Sequence, residues 1–269
     1  MNTITAKSGI ATLLVALWCL AVGAAAEPFA GAVDRAHYVA THNLQGRLFH
    51  VQGLALDRDH VFATSVDGVH RRAWLHRFNR ATGTLEAARD LTDGGRYHIG
   101  GVSLVGTSLW VPVAEPRAHS SARLIELDSE TLAVRRSFVI PDHLGCVAAR
   151  AGLLVAGNWD SRELYLIDPD HPGRWRRVAN PSETHWQDMK FVGSLLVGGG
   201  TTSPWSGAID WIDWPSLKLV KSIRNGASGA IRPFGPGGAL SGEGMAIEGR
   251  EVYLLPEDGP AHVFHFRLD

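Results

Sequence analysis

Histidine opens four segments of similar form, and serine opens a fifth. The segments are HVQGLAL (50–56), HIGGVSL (98–104), HLGCVAA (143–149), HWQDMKF (185–191) and SGEGMAI (241–247). Imidazole changes charge near neutral pH and is a common metal ligand, so the four histidines are candidates for acid–base or metal chemistry. A short apolar run follows each opening residue, which predicts a strand.

The third and fourth positions of these segments differ from one segment to the next. The third position holds Gln52, Gly100, Gly145, Gln187 and Glu243, and the fourth holds Gly53, Gly101, Cys146, Asp188 and Gly244. A purely structural role for this position would not require the carboxylate of Glu243. We therefore predict that Glu243 and Asp188, with His185 beside them, are catalytic and can share a proton as an acid–base couple. The alternative is a solvated polar lining.

The same three residues, Glu243, Asp188 and His185, are the predicted metal ligands. Calcium binds six to eight oxygens, which the two carboxylates, Gln52 and Gln187 can supply in part. A set of His185, His50 and one carboxylate instead favours zinc or another transition ion. Because the ligands come from separate segments, their spacing leaves calcium, zinc or no metal open.

A second polar position recurs 17 residues after each segment start. It holds Asp67, Glu115, Asp160, Thr202 and Asp258. Hairpin geometry predicts that His50 lies near Asp67, His98 near Glu115 and His143 near Asp160, either as structural pairs or as a rim that binds a ligand. The predicted ligand-binding residues are Gln52, Gln187, His50, His98, His143, Trp159 and Asp160. Trp159 and Trp205 end strands on this rim and can stack on a ligand or pack in the rim.

The segment starts are separated by 48, 45, 42 and 56 residues. A period of this length is typical of propeller blades of four strands each. Within each repeat, a second apolar run, an alternating run and a turn such as NRATG (79–83) follow the opening segment. The fifth repeat ends one strand short, and HYVATHNL (37–44) precedes the first segment as other fourth strands precede theirs.

The sequence therefore predicts an all-β fold, a five-bladed β-propeller of four-stranded blades whose last blade is closed by the N-terminal strand. A pair of β-sandwiches would not explain the register of the repeat. A sixth blade would have to lie between 185 and 241, but 225–241 is rich in Gly and Pro and is predicted to be a loop.

Residues 1–26 have the features of a signal peptide. Lys7 is their only charge, an apolar run covers 10–22, and Ala24, Ala25 and Ala26 form a cleavage pattern. We expect residues 27–269 to form a single propeller domain that is secreted or periplasmic. The alternative is a retained anchor.

The charge balance limits the class of partner. Without Lys7 the chain carries 25 basic and 27 acidic residues, which argues against nucleic acid and anionic membranes as partners. We expect a monomer that binds a small molecule.

Three resemblances follow from quoted motifs. The repeated HxxG openings and GNWDSR (157–162) resemble a family of exported propellers of unknown function. HVQGLALDRDHVFATSVDG (50–68) with NRATGTLE (79–86) is similar to the first blade of plant-type glutaminyl cyclases, which are five-bladed propellers. Their catalytic Glu-Gly strand lies in the second blade, where this chain has HIGG. SGEGMAI (241–247) resembles the Glu-Gly strand of calcium-dependent lactonase and paraoxonase-like propellers, which implies that Glu243 binds calcium.

Two classes of function remain. The first is a metal-assisted hydrolase or lactonase-like enzyme that acts on a small molecule at the mouth of the channel. The second is a non-catalytic propeller that binds a ligand or a protein at its rim. The sequence does not decide whether the protein is an enzyme.

Overall fold

A computed structural model describes residues 36–229, 235, 237–256, 258–259 and 261–269. Throughout these residues the regular elements are β-strands, and no helix in them is long and apolar enough to span a bilayer. The predicted signal peptide at 1–26 lies outside the described residues.

The strands form five sheets in a ring. Blade 1 contains β2 (His50–Leu56), β3 (His60–Asp67), β4 (Arg72–Asn79) and β5 (Leu85–Asp90). Blade 2 contains β6 (His98–Ile99), β7 (Ser103–Val105), β8 (Ser108–Ala114), β9 (Ala122–Asp128) and β10 (Val134–Ile140). Blade 3 contains β11 (Leu144–Arg150), β12 (Leu153–Asn158), β13 (Glu163–Ile167) and β14 (Trp175–Ala179). Blade 4 contains β15 (His185–Val192), β16 (Leu195–Ser203), β17 (Ser206–Asp213) and β18 (Lys218–Asn225).

Blade 5 combines the two ends of the chain. Its strands are β19 (Gly244–Glu248), β20 (Glu251–Leu255), β21 (His262–Leu268) and β1 (Ala36–Asn43). β1 pairs antiparallel with β21, from Ala36 opposite Leu268 to Asn43 opposite His262. The predicted five-bladed β-propeller is confirmed, and β1 covers an edge of β21 that would otherwise be open to pairing with other chains.

The hydrophobic core lies between neighbouring blades. For example, Phe62 and Leu75 of blade 1 pack with Ile99 and Val111 of blade 2, and all four are fully buried. Four further apolar clusters fill the other junctions around the ring. The strands therefore bury their apolar faces against the next blade. The innermost strand of each blade lines a central channel.

The inner strands of blades 1, 3 and 4 each contain an irregularity at the third position of the opening segment. In β2, Val51 pairs with Ser65 and Gly53 with Thr64, so Gln52 is an extra residue in a β-bulge. Register shifts also occur in β11 at Gly145 and in β15 at Gln187. A bulge re-aims the side chain that it carries. The residues at these third positions are thus oriented differently from those of a regular strand in the channel wall.

The fourth positions bring the inner strands together at a waist, defined by Gly53, Gly101, Cys146, Asp188 and Gly244. A Cβ atom added to Gly53 would lie 2.6 Å from the Val102 nitrogen, and one added to Gly244 would lie 2.9 Å from the Gly53 carbonyl carbon. Only glycine permits these backbone approaches. The waist divides the channel into an upper end, where the segment histidines lie, and a lower end, where the hairpins lie.

Candidate functional site at the upper end of the channel

Asp188 is fully buried in the waist and is hydrogen-bonded across the channel. Its Oδ2 accepts the backbone N–H of Leu54 at 2.9 Å and of Met245 at 3.0 Å. Its Oδ1 accepts the N–H of Met189 at 2.9 Å and the ammonium of Lys190 at 2.5 Å. Both oxygens of Asp188 are therefore occupied, with donors from blades 1, 4 and 5.

Lys190 extends this network to another blade. Its Nζ also donates to the Val102 carbonyl in blade 2 at 2.7 Å. Burial raises the pKa of Asp188 to about 6 and lowers that of Lys190, and the attraction between the two opposite charges acts against both shifts. The ion pair acts as a tie between non-adjacent blades.

The predicted metal ligands do not converge. Asp188 already has four donors, and His185 at the start of β15 is exposed and makes no side-chain hydrogen bond to another described residue. A metal would have to displace Lys190 from Asp188, which would leave a buried unpaired ammonium. The residues present thus do not fit a calcium or zinc ion held by Glu243, Asp188 and His185.

One other set of possible ligands comes together in the described part of the chain. Ligand atoms of Asp57, His60 and Glu130 lie within 4.8 Å of one another at the lower end of blades 1 and 2. The Arg77 guanidinium hydrogen-bonds the Glu130 carbonyl, and its Nε lies 3.4 Å from Glu86 Oε2, which is itself 3.5 Å from His60 Nε2. This group was not predicted, because its residues belong to hairpins of two different blades. The guanidinium already supplies positive charge there.

The upper end of the channel places His50 between two carboxylates. His50 Nδ1 lies 3.3 Å from Asp258 Oδ1, which also accepts the backbone N–H of Val51 at 3.0 Å. His50 Nε2 lies 4.0 Å from Glu243 Oε1. Because a carboxylate accepts and does not donate, Nδ1 carries the proton that bonds Asp258, and Nε2 faces Glu243.

Gln52 positions the glutamate. The Gln52 amide donates to Glu243 Oε2 at 3.3 Å and to the Val51 carbonyl at 2.9 Å. Gln52 and Glu243 are both buried, whereas the side chain of His50 is 41% exposed. The bulge of β2 therefore supports a buried carboxylate directly below a histidine that reaches solvent.

Rings from blades 2 and 3 form a wall beside this pair. The ring centroids of His143 and Trp159 are 4.5 Å apart in an edge-to-face arrangement, and those of His98 and His143 are 5.3 Å apart. Trp159 is 44% exposed. His143 Nδ1 donates to the Glu115 carbonyl at 2.8 Å, which leaves its Nε2 unprotonated in the neutral ring.

Burial keeps these imidazoles neutral. Burial, together with the nearby His143 and His50, lowers the pKa of His98 to about 4. Burial also lowers the pKa of His143. The Nδ1 of His98 is buried and has no hydrogen-bond partner among the described residues. The wall is thus an uncharged, ring-lined surface at neutral pH.

His50 lies opposite Val66 and His98 opposite Ala114, so each is close to the acid of its own blade, but these acids do not bond the histidines. Asp67 instead bonds His70 Nδ1 at 2.7 Å, and the Glu115 carboxylate bonds Ser121 and Arg117. His50 of blade 1 contacts Asp258 of blade 5. The spacing of 17 residues correctly predicted the rim on which these residues lie. It did not take into account that an inner strand also starts beside the preceding blade, where His50 and His143 have their partners.

The other predicted ligand-binding residues lie around the same rim. Asp160 accepts the backbone N–H of Arg162 at 3.3 Å and thereby orders its own loop. Gln187 occupies the bulge of β15 and is half-buried. Sequence reasoning missed the role of Lys190, although its position two residues after Asp188, on the same face of a strand, was a usable signal.

Several solved structures are similar to this chain. A crystal structure of Myxococcus xanthus glutaminyl cyclase is similar to 87% of this chain and 96% of its own, with a TM-score of 0.65 and 15% identity. The Cps50 (Swd1) β-propeller domain of Myceliophteria thermophila covers 80% of this chain and 64% of its own, with a TM-score of 0.46 and 15% identity. The Neurospora crassa Pan2 WD40 domain covers 82% of this chain and 89% of its own, with a TM-score of 0.49 and 5% identity.

At 15% identity the similarity to the glutaminyl cyclase concerns the fold alone. No curated protein sequence matches the chain. The profile of a family of unknown function (DUF6454) matches residues 34–220, which is more than half of the sequence. The chain is therefore a member of this family of unknown function, and it folds as a five-bladed β-propeller.

Proposed function

We propose that the protein is an enzyme that acts on a small carbonyl compound at the upper end of the channel by general acid–base catalysis. The observation that carries this proposal is the position of His50 between Asp258 at Nδ1 and Glu243 near Nε2. A carboxylate that orients an imidazole fixes which nitrogen can accept a proton. The chemistry that this favours is acyl transfer at an ester, lactone or amide.

The roles follow from the contacts. Asp258 holds His50 in the tautomer whose Nε2 accepts a proton from the attacking water, hydroxyl or amine as that group bonds to the carbonyl carbon. Glu243 in its protonated form returns a proton to the leaving oxygen or nitrogen as its bond to the carbon breaks. After these steps His50 carries an additional proton and Glu243 lacks one. The distance of 4.0 Å between His50 Nε2 and Glu243 Oε1 then lets the proton return from His50 to Glu243 through a water or an atom of the bound substrate.

The ring wall favours a compact, planar substrate group. Trp159 and His143 offer an edge-to-face corner next to the acid–base pair, and the low pKa of His98 keeps a third ring neutral. Planar amide and ester groups pack well against such rings. This proposal does not use a metal, since the predicted ligands do not converge.

The test is a turnover screen with matched variants. Purified protein is assayed with p-nitrophenyl esters, with five- and six-membered lactones and with peptides that begin with glutamine. We expect turnover of at least one class. Glu243→Gln and His50→Gln should each lower kcat/KM by about 100-fold or more, the usual size of an acid–base contribution. His70→Gln is the control, because His70 also pairs with an aspartate but bonds the loop of blade 1.

A second function rests on one observation, the exposure of Trp159 beside His143. If the rim only binds a ligand, the protein should turn over no class of substrate. Wild-type and Glu243→Gln protein should then give the same result in the turnover screen. That outcome would contradict the enzymatic proposal and favour a ligand-binding propeller.

A further inference from the structure

A separate cavity lies at the lower end of the channel, on the far side of the waist from His50. It has a volume of about 310 Å³, and the inner strands of all five blades contribute to it. Its floor consists of four small residues and one long one, namely Ala55, Ser103, Ala149, Ala246 and Lys190. The volume is at the lower end of the range of small-molecule sites, roughly 300–1,000 Å³.

Lys190 brings an available donor to this floor. The residue is 7% exposed and has three N–H groups, of which one bonds Asp188 Oδ1 and one bonds the Val102 carbonyl. Within the described part of the chain no third acceptor is present. A buried donor without a partner costs free energy, so an oxygen atom that enters the cavity gains a hydrogen bond there.

The rim of the cavity carries a cation. Arg150 is exposed, lies over the ring of Phe191 at 5.2 Å, and forms no ion pair with the described residues. The nearby carboxylate of Glu248 is instead engaged by Arg80, at 2.6 and 2.9 Å. Since Asp188 already neutralises Lys190, the positive charge that a ligand meets is that of Arg150.

The remaining wall is apolar. Leu56, Val105 and Ile247 line the cavity between the floor and the solvent. A ligand that fits must therefore present an anion at the rim, a short carbon chain along the wall and a neutral oxygen at the floor.

We propose that this lower cavity binds a small aliphatic carboxylate that carries one further carbonyl or hydroxyl oxygen. Arg150 holds the carboxylate, and the third N–H of Lys190 donates to the second oxygen. The site is independent of the acid–base pair at the upper end, because the waist and the Asp188–Lys190 tie separate the two ends.

The probes are three molecules that differ by one group each: 4-oxopentanoate, pentanoate and 2-pentanone. Binding to the full chain is measured by calorimetry and by ligand-observed NMR. We expect 4-oxopentanoate to bind at least about tenfold more tightly than either of the others, the size expected from one charge-assisted hydrogen bond. Arg150→Gln should weaken 4-oxopentanoate about tenfold, whereas Arg89→Gln on the outer strand β5 should not.

Two further variants locate the site. Val105→Trp fills the mouth of the cavity and should abolish binding with an unchanged Tm, because Val105 is 37% exposed at the rim. Glu243→Gln should leave the affinity for 4-oxopentanoate unchanged, while Arg150→Gln should leave turnover at the upper end unchanged. No saturable binding of 4-oxopentanoate to wild-type protein, equal affinity for all three probes, or full binding to Val105→Trp would each overturn the proposal.

Discussion

Asp188 and Lys190 illustrate how one residue pair can hold a ring of blades. The carboxylate bonds the backbone of blades 1 and 5, and the ammonium bonds the backbone of blade 2. Removal of one partner from a buried ion pair leaves an uncompensated charge, which costs more than the pair itself contributes. The pair is therefore a structural requirement of the waist and not a free acid.

We predict that Asp188→Asn lowers the free energy of unfolding by about 3–5 kcal/mol, because Lys190 then stays buried without a counter-charge. Urea denaturation measures this. The double variant Asp188→Asn/Lys190→Met should lose less than the sum of the two single variants. A loss below about 1 kcal/mol in Asp188→Asn would contradict the tie between blades.

At the scale of the strand, β4 contains a histidine that cannot easily charge. His76 is buried between Trp74 and Phe78 on the same strand face, and its Nε2 bonds Ser65 Oγ at 2.9 Å. Burial lowers the pKa of His76 to about 4. The folded state thus favours the neutral ring, whereas the unfolded chain takes up a proton near pH 6.5.

The stability that His76 contributes is fully present above pH 6.5 and is lost as the pH falls from 6.5 toward 4. At pH 4.5 we expect this residue alone to cost about 2–3 kcal/mol of unfolding free energy. His76→Phe should remove that part of the pH dependence in urea titrations at pH 4.5 and 7. His185→Gln, at an exposed site, should keep the wild-type pH dependence, and a slope unaffected by His76→Phe would disprove this role.

The elements themselves were largely predictable. The repeat of opening segments and the alternation of the later strands fixed the four strands of each blade, because pattern and period reflect burial directly. The bulges at Gln52, Gly145 and Gln187 were not predictable, since a bulge is defined by the partner strand and not by the sequence of its own strand.

At the scale of the whole molecule, the ring closure decides which residues form the site. β1 pairs with β21, so blade 5 is complete and stands directly beside blade 1. The closure brings Asp258 and Glu243 of the last blade next to His50 of the first blade. The sequence identified His50, Glu243 and Gln52 as candidates, but the partner of His50 depends on contact between distant parts of the chain, which a count within one repeat does not contain.

The most direct test of this account is ¹⁵N NMR of the His50 ring at neutral pH, in wild-type protein and in Asp258→Asn. In the proposed mechanism Asp258 holds the proton on Nδ1 so that Nε2 faces Glu243. We expect a proton on Nδ1 in the wild type and a mixture of tautomers in Asp258→Asn. A neutral His50 with its proton on Nε2, unchanged by the substitution, would contradict it.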